Sequence, residues 1–315
     1  YKQQQVVDAL VRIGKLEIPE VMPILGSKEI YNYRNRLDFA LSNKKWLTIE
    51  QIQSGEVFED RGGLGFHISG AFDKVLDLQE CHLQGGISEE VRKFVRAYTH
   101  AQGYPYFDIK EQHGIMRSLI VRTSSIGESM VIVQFFQNDH EAIQDVMGAI
   151  NKQFPEITSL LYIVNPKGND TFFDLEIHTF AGRDHIFEKM SARPKDHSDG
   201  EELQFRIGPK SFYQTNSLQA YELYKVAREF AGLTGAEIVY DLYTGTGTIA
   251  QFVSANAKKV IGIELVPTAI ADAKQNAMFN AITNCEFFAS DMKDIFKASF
   301  IEEHGKPDVI ITDPP

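Results

Sequence analysis

The sequence predicts an α/β protein in two parts, an α+β block rich in antiparallel pairing followed by a parallel, Rossmann-like sheet. Three observations carry this expectation. From about residue 30 to about residue 195, short alternating runs are separated by glycine turns. After the polar stretch Ser191–Asp199 the pattern becomes strand, helix, strand, helix. The first strand of that second part then runs directly into Gly245-Thr246-Gly247 and a helix, the turn that opens ligand sites in open parallel sheets.

The elements follow in order. Val6, Val7, Leu10, Val11 and Ile13 recur at helical spacing, so residues 1–13 read as a helix stopped by Gly14. A connector with Pro19 and Pro23 completes a first segment, 1–29. The central block, 30–196, opens with a strand over Tyr33–Leu41, whose odd positions are mostly apolar and whose even positions include Arg34, Arg36 and Asp38. Gly62-Gly63 and Ser69-Gly70 mark turns. Ser88–Gln102 reads as a helix capped by Ser88 and stopped by Gly103, and Asp139–Phe154 as a second. Strands are expected at Leu119–Thr123, Met130–Phe136, Ser159–Val164 and Thr171–His178. The last block, 197–315, carries helices over Ser217–Ala231, Ile249–Asn256 and Pro267–Ala281, and strands over Glu237–Leu242, Lys259–Glu264, Cys285–Ala289 and Asp308–Thr312.

Composition narrows the class. The 315 residues give room for two domains at roughly 100–200 residues each. Hydrophobic residues make up 43% and charged residues 24%, which excludes a disordered or collagen-like chain. No apolar run approaches the about 20 residues of a spanning helix, and no basic segment with an apolar core opens the chain. Cys81 and Cys285 are too few for a disulfide scaffold or a four-cysteine metal site built wholly from this chain, and fit a reducing, cytoplasmic setting. The net charge of −11 opposes indiscriminate nucleic-acid binding but leaves room for a local basic patch. One such stretch exists: residues 28–46 hold Lys28, Arg34, Arg36, Lys44 and Lys45 against Glu29 and Asp38, interleaved with Tyr31, Tyr33 and Trp46. It suits phosphate contact and base stacking, or a solvated strand face; Arg117 and Arg122 are weaker candidates.

The loop from Tyr243 to Thr248 is the strongest local signal. Gly245, Gly247 and Ala250 match a dinucleotide fingerprint, and Glu264 ends the next strand where a carboxylate can accept two ribose hydroxyls. The same arrangement fits an S-adenosylmethionine site. Three carboxylates favour the latter. Asp241, just before the loop, suits a cationic amino-acid moiety; Asp291, after the third strand, could read an adenine amino group; and Asp313-Pro314-Pro315 resembles the ending of methyltransferases that act on planar nitrogen or ring carbon. Taken singly, each carboxylate is more often a helix cap or a solvated turn residue.

The segment Gly208-Pro209-Lys210-Ser211-Phe212-Tyr213-Gln214-Thr215-Asn216, with Asp241–Thr248, Glu264 and Asp313-Pro314-Pro315, closely resembles the bacterial RNA uracil-5-methyltransferases, most nearly their 23S ribosomal RNA branch. Tyr33-Arg34-Asn35-Arg36, Gly65-Phe66-His67, Cys81, Asn165-Pro166-Lys167 and Gly182-Arg183-Asp184 stand in the family's order, so the resemblance spans nearly the whole chain. It implies a class I S-adenosylmethionine-dependent methyltransferase domain, incomplete at its C-terminal side, behind a central RNA-binding domain. Cofactor contacts are implied for Gln214, Tyr243, Glu264 and Asp313, on a loop shaped by Gly245 and Gly247, with the Thr248 hydroxyl as a further contact. Phe212 would face a flipped base or sit in the core, and Arg34 and Arg36 would touch RNA.

Methylating uracil at carbon 5 requires a cysteine thiolate at carbon 6 and a base to remove the carbon-5 proton. In the family both lie downstream of Asp-Pro-Pro, so neither Cys81 nor Cys285 is the nucleophile by motif. Cys285 reads as a core residue. Cys81 falls where the family places the fourth ligand of a [4Fe-4S] cluster, and otherwise reads as a buried thiol. The chain opens on Tyr1 and closes straight after an apolar run, and reads as a piece of a longer protein. On that reading it would bind cofactor weakly, methylate nothing alone, and expose Val309–Thr312 as an edge prone to self-association. Two other readings stay open: an amino-group methyltransferase on a nucleobase, which needs no cysteine, and a non-catalytic RNA-binding module.

Overall fold

A computed structural model describes residues 1–191, 202–295 and 297–314. The chain divides into two units, Tyr1–Ile30 and Tyr31–Pro315. In the first, helix α1 (Lys2–Asp8) runs on as a π-helical turn over Ala9–Ile13 and ends at Gly14. None of its residues is buried. Gln3 ties the helix to the connector, its Oε1 accepting from the Ile24 amide at 3.1 Å.

The second unit starts with β1 (Arg36–Ser42), the short α2 (Ile49–Gln53), β2 (Gly63–Ile68), β3 (Ala71–Asp77) and α3 (Ile87–Ala101). It continues through β4 (Met116–Thr123), β5 (Ser129–Phe135), α4 (His140–Gln153), β6 (Ser159–Val164) and β7 (His178–Gly182). These strands form one sheet in the order β3-β2-β1-β4-β5-β6-β7, antiparallel except for the parallel pair β5–β6. Leu37, Phe39 and Leu41 of β1 are buried and Asp38 is exposed, as the alternation predicts. Asp139 caps α4 through the Ala142 amide at 3.0 Å.

Three expectations need correction. Ser88 does not cap α3: the cap position is Gly86, at φ +60°, and Ser88 lies inside the helix, buried, donating to Gln84 Oε1 at 2.8 Å. Thr171–His178 is not a strand. The buried Arg117 guanidinium collects the carbonyls of Asn165, Lys167 and Asn169 together with the Asp170 carboxylate, so the chain must coil around it before β7 can pair with β6. Arg117 is therefore an internal clamp, not a surface cation. Gly63, expected in a turn, opens strand β2.

A hairpin follows, β8 (Ile186–Ser191) with β9 (Glu202–Ile207), paired from Ile186↔Ile207 to Ser191↔Glu202. The stretch Ser191–Asp199, where the sequence places a domain boundary, lies outside the described residues beyond Ser191. The apolar core does not break at the hairpin. Ile132 and Leu161 on one side, Met190 and Phe205 on the hairpin, and Val239 and Phe252 beyond it belong to one buried cluster.

The remaining elements are α5 (Ser217–Ala231), β10 (Ile238–Leu242), α6 (Thr248–Ser254), β11 (Lys259–Glu264), α7 (Pro267–Phe279), β12 (Cys285–Ala289), α8 (Met292–Ile295), α9 (Ala298–His304) and β13 (Val309–Thr312). Asn216 caps α5 by accepting from the Gln219 amide at 3.0 Å, and left-handed Gly232 ends it. The four strands form a parallel sheet in the order β12-β11-β10-β13. Strand order reverses between β10 and β13, so a crevice opens at their carboxyl ends, where open α/β sheets bind ligands.

Candidate functional site

The loop after β10 is built from backbone conformations that few residues adopt. Tyr243 stands at φ +62°, Gly245 at +54° and Gly247 at +79°. Asp241 fastens this loop: its Oδ2 accepts from the Thr244 hydroxyl and, at 3.0 Å, from the Ala250 amide. Asp241 is fully buried, and its Oδ1 has no hydrogen-bond partner among the described residues. Burial pushes its pKa up to about 7, against the two hydrogen bonds and with a further push from Asp313. So Asp241 first holds the loop in place, and only its spare oxygen is left for the cationic group the sequence suggested. A methyl group placed on Gly245 would meet nothing within 4 Å, whereas one on Gly247 would lie 3.0 Å from Ala273, Gln251 and Phe287. The first glycine borders open space and the second is packed against α7 and β12.

Glu264 closes β11 beside this loop. Its Oε2 accepts from the Gly245 amide at 3.3 Å and its Oε1 from the Val266 amide at 3.0 Å. Gln214 and Asp313, far apart in sequence, meet through Gln214 Nε2 donating to Asp313 Oδ2 at 3.0 Å. Tyr243, in the loop after β10, is 41% exposed. Open space at Gly245, a carboxylate on its amide and a spare buried oxygen on Asp241 are what a nucleoside carrying a cationic amino-acid tail requires, so these residues fit S-adenosylmethionine.

Two further expected contacts have partners of their own in the protein. The Thr248 hydroxyl is buried and lies 3.2 Å from the Tyr224 hydroxyl, between α5 and α6. Asp291 accepts from the Lys293 amide at 3.0 Å and pairs with its ammonium at 2.9 Å, contacts that lower its pKa. It starts α8 as an ordinary helix-opening carboxylate.

The three residues expected to face substrate do come together. Arg34, Arg36 and Phe212 line one open groove of about 500 Å³, with Leu37, Asp38, Phe66 and Arg122. Phe212 is 65% exposed, so the core alternative for it fails. The Arg36 fork is occupied by Asp38, at 2.7 and 2.8 Å. Arg122, a candidate for RNA contact by sequence, is turned inward instead. It is buried, donates to the Ser211 carbonyl at 2.7 Å, and so holds the segment that carries Phe212 and Gln214; burial lowers its pKa to about 9. The rest of the basic stretch disperses: Lys44 pairs with Asp108 at 2.9 Å and Trp46 lies under Lys74.

The cysteines occupy separate places. Cys81 is buried in the core under the seven-stranded sheet, with Phe39 and Leu119, and among the described residues no three His, Cys, Asp or Glu side chains gather as a metal set. Burial pushes the Cys285 thiol up to about 12, which keeps it a neutral packing residue.

Comparison with known proteins agrees with this geometry. A family model described as a methyltransferase domain matches residues 233–314. An uncharacterized RNA methyltransferase of Porphyromonas gingivalis is 55% identical, over 100% of this chain and 66% of that protein. One from Bacteroides thetaiotaomicron is also 55% identical, over 100% of this chain and 68% of its own length. The chain belongs to the RNA methyltransferases. It spans about two thirds of the length of these curated relatives. Among solved structures, the tRNA (uracil-54, C5)-methyltransferase of Pyrococcus abyssi, in complex with S-adenosyl-L-homocysteine, superimposes with a TM-score of 0.70 at 25% identity, over 100% of this chain and 67% of that one. The parallel sheet of this RNA methyltransferase is thus the Rossmann-like sheet of S-adenosylmethionine-dependent methyltransferases. Among the described residues no helix is long and apolar enough to cross a membrane.

Proposed function

We propose that this chain binds S-adenosylmethionine at the ends of β10, β11 and β13 and presents a uridine of RNA, in 23S ribosomal RNA as its family resemblance implies, for methylation at carbon 5. The observation that carries this reading is the pairing of Gln214 with Asp313 at 3.0 Å, between the glycine loop on one side and the Phe212 groove on the other. When bound, the cofactor supplies an electrophilic methyl group. The residues of this chain do the rest of the holding. Glu264 is set to accept the ribose hydroxyls, and Gly245 leaves room for the ligand to approach the backbone. Phe212 offers an exposed ring for a base to stack on, and Arg34 a cation for a phosphate.

Carbon 5 of uracil becomes nucleophilic only after a thiolate adds at carbon 6. Buried Cys81 and part-buried Cys285, its thiol pushed up to about 12, do not fit that role, and we assign it to no residue of this chain.

Titration with S-adenosylhomocysteine tests the reading, with NAD as control. Binding by the homocysteine ligand alone, reduced at least tenfold by Glu264→Ala, is the expected result. Binding by NAD, or by neither ligand, would sink it.

A further inference from the structure

Asn35 stands between the two groove arginines in sequence, and one of its partners, Thr215, also lines the groove. Its side-chain amide donates to the Gln214 carbonyl at 2.9 Å and to the Ser217 hydroxyl at 2.8 Å. Its own amide donates to the Thr215 carbonyl at 2.7 Å, and its carbonyl accepts from Thr123 on β4. Three hydrogen bonds therefore staple the start of β1 to the four residues that begin with Gln214.

The far side of the staple is anchored too. The Ser217 hydroxyl donates to Glu188 Oε2 at 2.8 Å, and Glu188 is fully buried. The other carboxylate oxygen accepts from the Ser125 amide at 2.9 Å and the Lys189 amide at 3.0 Å. With its hydroxyl hydrogen committed to Glu188, Ser217 can meet Asn35 only as an acceptor, which fixes the orientation of the Asn35 amide. That amide then gives its second hydrogen to the Gln214 carbonyl. The carbonyl it holds belongs to the residue whose side chain reaches Asp313.

We propose that Asn35 is a positioning residue: through the Ser217–Glu188 pair it seats Gln214 against Asp313, and so ties the groove formed by Arg34 and Arg36 to the cofactor crevice. The inference rests on the cofactor reading above for its functional consequence, but the seating itself is a property of the ligand-free protein.

A double-mutant cycle tests it, using S-adenosylhomocysteine affinity for the wild type, Asn35→Ala, Gln214→Ala and the double variant. Asn35→Ala should weaken binding about tenfold, the cost of roughly one lost hydrogen bond to a pre-set group. In the Gln214→Ala background the same change should cost less than about twofold, because the residue it acts through is gone. An equal loss in both backgrounds, or no loss in the first, overturns the inference while leaving the cofactor reading intact.

A second measurement needs no ligand. In the side-chain amide spectrum of the free protein, Asn35→Ala should shift the Gln214 resonances, and Ser217→Ala should shift them in the same sense. Unmoved Gln214 resonances in a variant that melts like the wild type overturn the inference. If the resonances move and the wild type binds no S-adenosylhomocysteine, the seating stands and the cofactor reading falls.

Discussion

Gln214 Nε2 donates to Asp313 Oδ2 at 3.0 Å, closing a gap of ninety-nine residues between the segment before α5 and the end of β13. Asp313 directly follows β13, so the bond lies at the carboxyl edge of the parallel sheet, where open α/β sheets bind ligands. Removing one partner frees the other. Asp313→Ala should therefore weaken S-adenosylhomocysteine binding by about tenfold, and Asp313→Asn, which keeps an acceptor oxygen, by less. Calorimetry on both variants checks the order. Equal losses would mean that charge, not the hydrogen bond, is what matters there.

The two loop glycines should separate stability from binding. Gly247→Ala forces a side chain into left-handed backbone at φ +79° and within 3.0 Å of three neighbours. It should lose about 1–3 kcal/mol of stability. Gly245→Ala meets no neighbour within 4 Å, so only the backbone conformation at φ +54° costs, about 1–2 kcal/mol. Its methyl group projects into the open space at the crevice, so it should also abolish S-adenosylhomocysteine binding. Urea unfolding and a binding titration on the same samples distinguish the two positions.

How much of this was legible beforehand depended on whether a residue's partners were near in sequence. β11 and β12 begin and end where the sequence puts them, because their apolar runs are bounded by turn signals. The glycine loop and Glu264 are likewise local patterns. Arg34 and Arg36 stood out by the charge of their stretch and Phe212 through the family resemblance, but nothing in their spacing brings residue 34 beside residue 212, so the shared groove was not legible. The strand expected over Thr171–His178 fails because Arg117, over fifty residues upstream, draws that chain into a loop. Thr248 and Asp291 were read from side-chain type alone, and their partners Tyr224 and Lys293 were not foreseen. The β8–β9 hairpin and Glu188 were missed because a short strand beside a polar stretch reads as connector.

The groove makes a prediction that stability measurements should not register. Phe212 is 65% exposed, so Phe212→Ala should leave the unfolding midpoint within about 0.5 kcal/mol of wild type. Affinity for a single-stranded, uridine-bearing RNA should fall by about 1–3 kcal/mol, the worth of one stacked base. Arg34→Ala should instead lower the slope of affinity against salt by about 0.7, the signature of one lost phosphate contact on a single strand. A Phe212 variant that changes the salt slope, or an Arg34 variant that does not, would contradict these roles.

Asp241 predicts a pH dependence with an unusual sign for a carboxylate. Its pKa is raised from 3.8 to about 7 in the folded protein. Between those values the native state keeps a proton that the unfolded chain has released. Stability from this group is therefore full at low pH, falls as pH rises through the window, and is lost above about 7. Asp241→Asn keeps an oxygen for Thr244 and Ala250 and cannot ionise. Relative to wild type it should gain stability between pH 4 and pH 8, by at most about 4 kcal/mol. Urea unfolding of both proteins at pH 4, 6 and 8 measures the gap, and a gap independent of pH would show that Asp241 stays ionised.

Glu188 offers the largest expected loss of stability away from the crevice. One buried carboxylate accepts from Ser125 on the β4–β5 turn, from its own strand at Lys189, and from Ser217 at the start of α5. Glu188→Ala strands the Ser125 amide and the Ser217 hydroxyl together, at about 1–3 kcal/mol for each buried group left without a partner. Glu188→Gln keeps one carbonyl oxygen for the two amides but turns a donor toward Ser217, which must then give up its own donation. That variant should cost about 1 kcal/mol, with the same denaturant slope as wild type. If the glutamine variant is as unstable as the alanine one, the negative charge itself is needed at the junction of hairpin, turn and helix; if neither is destabilised, Ser125 and Ser217 find other acceptors and the junction is held by its apolar packing alone.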